Sequence, residues 1–382
     1  MKSLAVTEEH KLKIVELPIP EIGEDWVLTQ TIASGICNGT DTKILHGDFK
    51  GIDEYPCLLG HEAVGRVIKT GSRVKRFKVG DHVLVPFLNQ DEKNQYNGYY
   101  SFWGGYSQYT AARDYQAMEE AGIREGHPEF WDAHYTQQVL PKDIDPVDGV
   151  MVITFCEVLA AIRNFGFRKG SSVTVFGAGP VGLTFIKLMK LSGVGTVIAV
   201  DIKDDKKTEA LQAGADYFIS TGNEHDGDAC SSIWRLPQGS DIPVPATDCV
   251  SSNSQGDLTW EVRGILPEGC DYVLDAVGIN QIINQAMPLL KENGQICVYG
   301  ISPKMNMDLS WEAAPYNWSL NFLHMPVKEQ QAAALEQIIA WIREGEIRLG
   351  DYISHRIPFD KILDAFQMVE DKVSTKKIVI TY

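Results

Sequence analysis

Two groups of residues in this 382-residue chain have the types and spacing to do chemistry. The first begins at GICNGTD, with Cys37, Thr40 and Asp41, and continues 24 residues past Cys37 at GHE, with His61 and Glu62. Glu157 follows in FCEVLAAIRN, where it reads as the opening of a helix. Cys37, His61 and Glu157 supply a thiolate, an imidazole and a carboxylate, a three-ligand zinc set that leaves the fourth position open, as catalytic zinc requires. Singly, each has an ordinary structural reading: a small core cysteine, a turn histidine, and an acid stabilised by a helix dipole. The second group is GAGPVG at 177–182, after the apolar strand SVTVF and before the helical GLTFIKLM. In such a turn Gly177 tightens the chain, Gly179 lets backbone approach a pyrophosphate, and Gly182 lets helix pack on strand. Pro180 and Val181 open a helix whose free N–H groups attract phosphate. The strand TVIAV then ends in Asp201, 19 residues past Gly182. An acid there holds the ribose hydroxyls of NAD and repels the 2′-phosphate of NADP. Lys203, Lys206 and Lys207 lie beside it, which leaves NADP open as an alternative.

The elements that must position these groups fall into three stretches, read as 1–152, 153–326 and 327–382. The first is β-rich, with apolar runs such as LKIVELP, WVLTQTIASG, AVGRVIKTG, GDHVLVP and GGYSQYTAA punctuated by glycine. In the second, buried-strand patterns (SSVTVFG, VGTVIAVDI, CDYVLDAVG, GQICVYGIS) alternate with helical stretches, which implies a parallel sheet covered on both faces. The third holds a helix, KEQQAAALEQIIAWIREG, and a terminal strand, KKIVITY. Residues 119–138 and 221–268 break the pattern and read as surface insertions.

GICxxTD, GHE, GDHVLVP, GGYSQY, E-x-LA, VTVFGAGPVGL, DAVG and PFDKILDAF, in this order, resemble the zinc-dependent medium-chain alcohol/polyol dehydrogenases along nearly the whole chain. The resemblance implies an α/β protein: a Rossmann doubly wound parallel sheet plus a β-rich GroES-like catalytic domain, which the C-terminal segment completes, with the active site in the cleft between them. It makes Cys37, His61 and Glu157 the zinc ligands, with Glu62 behind them and able to approach the metal. It makes Thr40 the hydroxyl that passes the substrate proton, and Asp41 a supporting partner. Val181 would back the nicotinamide, Asp201 and Lys206 would hold the adenosine ribose, and Gly278, Gly300 and Ile301 would line the nicotinamide side. A glutamate third ligand is similar to the polyol and sugar enzymes. Three departures stand out: two residues, not one, separate Cys37 from Thr40; Lys43 stands where many members have a relay histidine; and Val158 replaces a common proline. The four closely spaced cysteines of a structural zinc lobe are absent from FLNQDEKNQYNGYYSFW, so one catalytic zinc and no structural zinc is expected.

The expected reaction is hydride transfer from a secondary hydroxyl of a polyol, sugar or cyclitol to NAD. The alternatives are a small-alcohol dehydrogenase, a redox-neutral enzyme recycling bound NAD, and, in a different class, a non-catalytic nucleotide-binding protein. Composition narrows the partners. A formal charge of −16 argues against nucleic acid and anionic membranes. Seven scattered cysteines without a CxxC suit a reducing cytoplasm, and no run approaches the length of a membrane span. A small-molecule substrate and a homodimer or homotetramer are expected. Phe49, Tyr99, Tyr100, Phe102 and Trp103, with Trp131, His134 and Tyr135 of the first insertion, read equally as pocket lining or as core or subunit-contact residues.

Overall fold

A computed structural model describes residues 1–89, 93–222, 233–235, 244–245, 258–373 and 376–382. The chain folds as two compact units, Met1–Glu157 with Val327–Tyr382, and Val158–Pro326.

In the first unit the long strand Trp26–Gly35 is the organiser. It pairs antiparallel with Ala63–Thr70, with Tyr109–Arg113 and, through Val379 opposite Gly35, with the C-terminal strand Lys377–Thr381. Val27, Thr29, Thr31 and Ala33 are buried, the period of two expected of a strand packed on one face. A second, five-stranded sheet runs Leu12–Glu16, Lys2–Val6, Cys57–Leu58, Tyr99–Ser101, Gln95–Tyr96. Tyr99 and Tyr96 pack there against Ala5, Val15, Leu17, Leu58 and Leu88, so Tyr99 is a core residue.

The second unit carries a parallel sheet in the spatial order Tyr217–Ser220, Val197–Asp201, Val173–Phe176, Cys270–Asp275, Leu290–Val298, Trp318–Phe322. The first strand in sequence lies at the centre and the fourth returns to its other side, the doubly wound arrangement read from the alternating pattern. Its strands are buried on both faces: Val173, Val175, Val197, Ile198, Ala199, Val273 and Leu274 are fully inaccessible. Ile233–Arg235 and Val244–Pro245 extend the sheet antiparallel beyond Tyr217–Ser220.

Three readings of the sequence need correction. The helix carrying Glu157 begins at Val150 and runs to Phe165, so Glu157 sits in its middle and not at its opening. Asp145, whose side chain accepts the Val147 and Asp148 N–H groups, turns the chain ahead of it. The start was hidden because Val150–Phe155 is buried nearly all round and shows no amphipathic stripe. Residues 119–138 are not only surface: Ala133, His134, Thr136 and Gln137 are buried. Within 221–268, Leu258–Ile265 is a helix with Glu261 and Val262 buried, one of the covering helices of the sheet. Most of 223–257 lies outside the described residues.

The buried end of 119–138 forms an aromatic and polar plug. Trp131 and His134 pack on Phe87, and His134 meets Trp26 edge to face. Gln137 Oε1 accepts the Arg113 N–H at 2.7 Å and lies 3.1 Å from His134 Nδ1. Since that oxygen is an acceptor, Nδ1 carries the proton. The Arg113 guanidinium, over the Trp26 ring, pairs with buried Asp25 at 2.8 Å.

Burial lowers the His134 imidazole to about 4, and the charge of Arg113 adds to the effect. The unfolded chain binds a proton near pH 6.5. Between these values it therefore binds more protons than the folded one, and stability falls as pH drops from about 6.5 to about 4. This histidine accounts for about 3 kcal/mol of that loss. Unfolding measured across this window is expected to show a shallower pH slope in His134→Phe than in the parent. An unchanged slope would mean that His134 does not report on folding.

Candidate metal centre and nucleotide cradle

The metal-capable cluster and the charges around it are assembled from three places in the first unit. Cys37 opens the turn that follows strand Trp26–Gly35. Its carbonyl accepts Thr40 N at 3.3 Å and Asp41 N at 2.8 Å, and the helix Asp41–His46 follows. This turn accommodates the extra residue between Cys37 and Thr40. His61 and Glu62 precede strand Ala63–Thr70, and Lys377 arrives on the C-terminal strand. The last approach depends on Gly35. A Cβ there would lie 2.6 Å from Glu62 Oε2, 2.9 Å from Val150 Cγ1 and 3.2 Å from Lys377 Cδ.

Cys37, His61 and Glu62 offer ligand atoms that all lie within 4.8 Å of one another, the one such group among the described residues. His61 Nε2 is 4.0 Å from Glu62 Oε1, while Nδ1 on the other side of the ring lies 3.5 Å from Asp41 Oδ1. Both Nδ1 and that oxygen are buried without a hydrogen-bond partner. If Nε2 holds a metal, Nδ1 must carry the proton, and Asp41 Oδ1 is the acceptor waiting for it. Asp41 Oδ2 accepts Cys37 N at 2.9 Å and the Tyr106 hydroxyl at 2.6 Å. Glu62 Oε1 accepts from Lys377 Nζ at 2.8 Å, and Oε2 lies 2.7 Å from the same nitrogen.

The electrostatics call for a cation. Burial would lower the His61 imidazole, yet Asp41 and Cys37 raise it well above its usual range. Burial would likewise lower Lys377, and the charges of Glu62, Cys37 and Asp41 raise it. A site that pulls protons onto its histidine and lysine equally favours a divalent metal. Thiolate, imidazole and carboxylate donors suit zinc, so the residues present fit that ion.

Other residues singled out from the sequence lie outside the ligand cluster, some of them beside it. Glu157, partly exposed, is not in the compact cluster. Thr40 is buried at the N-cap of the short helix, and Lys43 is half-buried on it. Trp103 packs its ring 5.2 Å from His61, with a positive φ of 124°, whereas Trp131, His134 and Tyr135 serve the plug described above. Two residues of the site were not singled out as such, Lys377 and Tyr106. The signal for the first was a lysine opening an otherwise apolar terminal strand, and for the second an aromatic set between GG and SQY.

In the second unit, Gly177 adopts φ 95°, and a Cβ on Gly182 would lie 1.8 Å from Gly177 O, so strand and helix touch backbone to backbone. Gly179, at the N-cap of helix Pro180–Leu191, faces open space. Asp201 Oδ2 accepts Ala178 N at 2.8 Å, and Oδ1 accepts Lys203 N at 2.9 Å, which fixes the carboxylate beside the glycine turn. Lys206 is buried, and its ammonium is lowered by burial. Asp275 Oδ1 gathers Val277 N and Gly278 N at 2.8 and 2.9 Å. Gly278 lies so close to Gly300 and Ile301 that a Cβ would meet Ile301 O at 2.4 Å. These loops leave the carboxyl ends of four neighbouring strands, on either side of the point where the winding reverses, the place where doubly wound sheets bind ligands.

Comparison with known proteins agrees with this architecture. A family described as alcohol dehydrogenase GroES-like domain matches residues 23–121, and one described as zinc-binding dehydrogenase matches residues 245–380. The chain is 27% identical over 382 residues to an NADP-dependent isopropanol dehydrogenase of Entamoeba histolytica, covering 97% of this chain and 93% of the relative. It is 23% identical to a sorbitol dehydrogenase of Bombyx mori, covering 97% and 95%. The solved structure of an alcohol dehydrogenase from Thermus sp. ATN1 superposes with a TM-score of 0.73 at 18% identity, covering 100% of this chain and 99% of that one, a likeness of fold.

Lys377→Met strands Glu62 in the interior and is expected to cost about 3–5 kcal/mol in chemical denaturation. Adding Glu62→Gln should recover a large part of that loss. If the two substitutions simply add, the pair is not coupled.

Proposed function

The chain belongs to the medium-chain zinc alcohol/polyol dehydrogenase family, and from that premise we propose that it oxidises a secondary hydroxyl of a polyol, sugar or cyclitol with NAD, using one zinc ion. The family makes it an oxidoreductase. The gathering of Cys37, His61 and Glu62 carries the metal part of the reading.

Zinc, held by Cys37, His61 and a carboxylate, would act as a Lewis acid on the hydroxyl oxygen, and the nicotinamide would accept the hydride. Glu62 and Glu157 are the two carboxylates available. Glu62 stands within the cluster, paired to Lys377, while Glu157 is the ligand implied by the sequence resemblance. Asp41 keeps the proton of His61 on Nδ1 and so leaves Nε2 free to ligate. Thr40 Oγ is the hydroxyl we assign to moving the substrate proton, and Lys43, on the helix that Thr40 caps, is the second residue we assign to that step. In the second unit, the N–H groups at the start of helix Pro180–Leu191, with Gly177 and Gly179, would cradle the pyrophosphate, Val181 would back the nicotinamide, and Lys206 would assist at the ribose. The Asp275-braced contact of Gly278 with Gly300 and Ile301 would border the nicotinamide.

The NAD preference rests on Asp201, whose anchored carboxylate would oppose a 2′-phosphate. The isopropanol relative is named as NADP-dependent, and its substrate supports a second reading for this chain, a dehydrogenase of simple secondary alcohols.

Formation of reduced cofactor, followed at 340 nm against polyols, sugars, cyclitols and simple alcohols, separates these readings. Chelator-sensitive reduction of NAD with a hydroxyl-rich substrate is expected. A clear preference for isopropanol-type alcohols would favour the second reading, and no reduction by zinc-loaded protein with any of them would overturn both. Asp201→Ala should narrow the NAD over NADP preference in kcat/KM by at least about tenfold, equivalent to about 1.4 kcal/mol. Thr40→Ala should lower kcat by about 10²–10⁴-fold, with Thr40→Ser close to the parent.

A further inference from the structure

Tyr106 is fully buried, has a role in none of the steps above, and touches the residue on which both metal-side loops converge. Its place is set by backbone. Gly105 N donates to Gly60 O at 2.7 Å, and Tyr106 N donates to Leu59 O at 3.2 Å, so the segment after Trp103 lies directly on the segment that ends in His61. Glycine is needed on both sides: a Cβ on Gly60 would come within 2.6 Å of Tyr106 N, and one on Gly105 within 2.8 Å of Gly60 O. The Tyr106 ring meets Phe366 edge to face at 5.8 Å. Its hydroxyl then reaches two acceptors, Asp41 Oδ2 at 2.6 Å and Gly35 O at 2.7 Å. A phenol has one proton to give, and an ionised carboxylate is the stronger acceptor. With Asp41 ionised, the bond therefore goes to Asp41. That carboxylate binds the Cys37 N–H with one oxygen and faces His61 Nδ1 with the other.

We propose that Tyr106 is a positioning residue for the metal centre: its phenol locks the Asp41 carboxylate in the one orientation that braces the Cys37 turn and the His61 ring together, so that the two donors are set before metal arrives. This rests on the reading that the cluster holds zinc. Without the hydroxyl, Asp41 keeps the Cys37 N–H but loses the bond that fixes its plane, and the 3.5 Å gap to Nδ1 is no longer held. Ring packing is retained in Tyr106→Phe, so the variant removes the hydrogen bond and little else.

The test uses the full-length protein and zinc itself. Competition with a chromophoric chelator should show zinc bound about 10–100-fold more weakly by Tyr106→Phe than by the parent. The cobalt-substituted variant should show displaced d–d and thiolate charge-transfer bands, a change that loss of packing alone would not cause. Because the phenol acts through the carboxylate, Tyr106→Phe should add little to Asp41→Asn in the double variant. Parent-like zinc affinity with an unchanged cobalt spectrum would overturn the proposal, and so would full additivity of the two substitutions. A parent protein that binds no zinc would overturn the metal reading together with it, whereas a zinc-binding parent with an indifferent Tyr106→Phe would overturn this inference alone.

Discussion

Charge taken out of water governs the first unit. Asp41 and Glu62 are almost wholly inaccessible, and Lys377 is equally enclosed. Isolated charges at such depth would cost several kcal/mol each. Each is instead answered by a specific partner: Glu62 by the Lys377 ammonium, and Asp41 by Cys37 N–H and Tyr106 OH. Among these groups, His61 Nδ1 and Asp41 Oδ1 face each other without a hydrogen bond, while Nε2 lies toward Glu62 in the cluster that includes Cys37. A divalent cation there would complete the balance, since it would fix the imidazole proton on Nδ1 and offset the remaining negative charge.

Holding these groups together requires main chains to approach more closely than side chains allow. Gly35 admits Glu62 and Lys377, and Gly60 and Gly105 admit each other's segments. The nucleotide unit uses the same device, with Gly182 on Gly177 and Gly278 on Gly300 and Ile301. In both units a buried aspartate then ties the loops by accepting backbone N–H groups, Asp41 at Cys37 and Asp275 at Val277 and Gly278. Rigid loops of this kind suit chemistry that relies on positioning and fixed dipoles.

Much of this was legible in the chain. The alternation of buried strands and helices gave the doubly wound sheet, because strands covered on both faces cannot avoid long apolar runs. The glycine turn GAGPVG and the place of Asp201 beside it could be located because their geometry is local, set within one strand–turn–helix–strand unit. Cys37 and His61 stood out because a thiolate and an imidazole are costly to place without a use, but the carboxylate read with them was Glu157, whereas the one gathered beside them is Glu62. Lys377 could not be found in this way. It lies 315 residues from Glu62, and only the pairing of the last strand with Trp26–Gly35 brings it in. Tyr106 was equally hidden, since an aromatic residue between glycine and serine carries no sign of what its hydroxyl will reach. The start of the helix at Val150 was missed for a different reason. A helix buried nearly all round has no polar face, so its first turns read as an undifferentiated apolar run.

The most direct test is zinc K-edge X-ray absorption on the protein as purified with zinc. A single zinc environment with one sulfur at about 2.3 Å and nitrogen or oxygen donors at about 2.0–2.2 Å is the expected result, and the sulfur should disappear in Cys37→Ser. An all-sulfur zinc environment, or a one-sulfur environment that survives Cys37→Ser, would place the metal elsewhere and contradict the assignment.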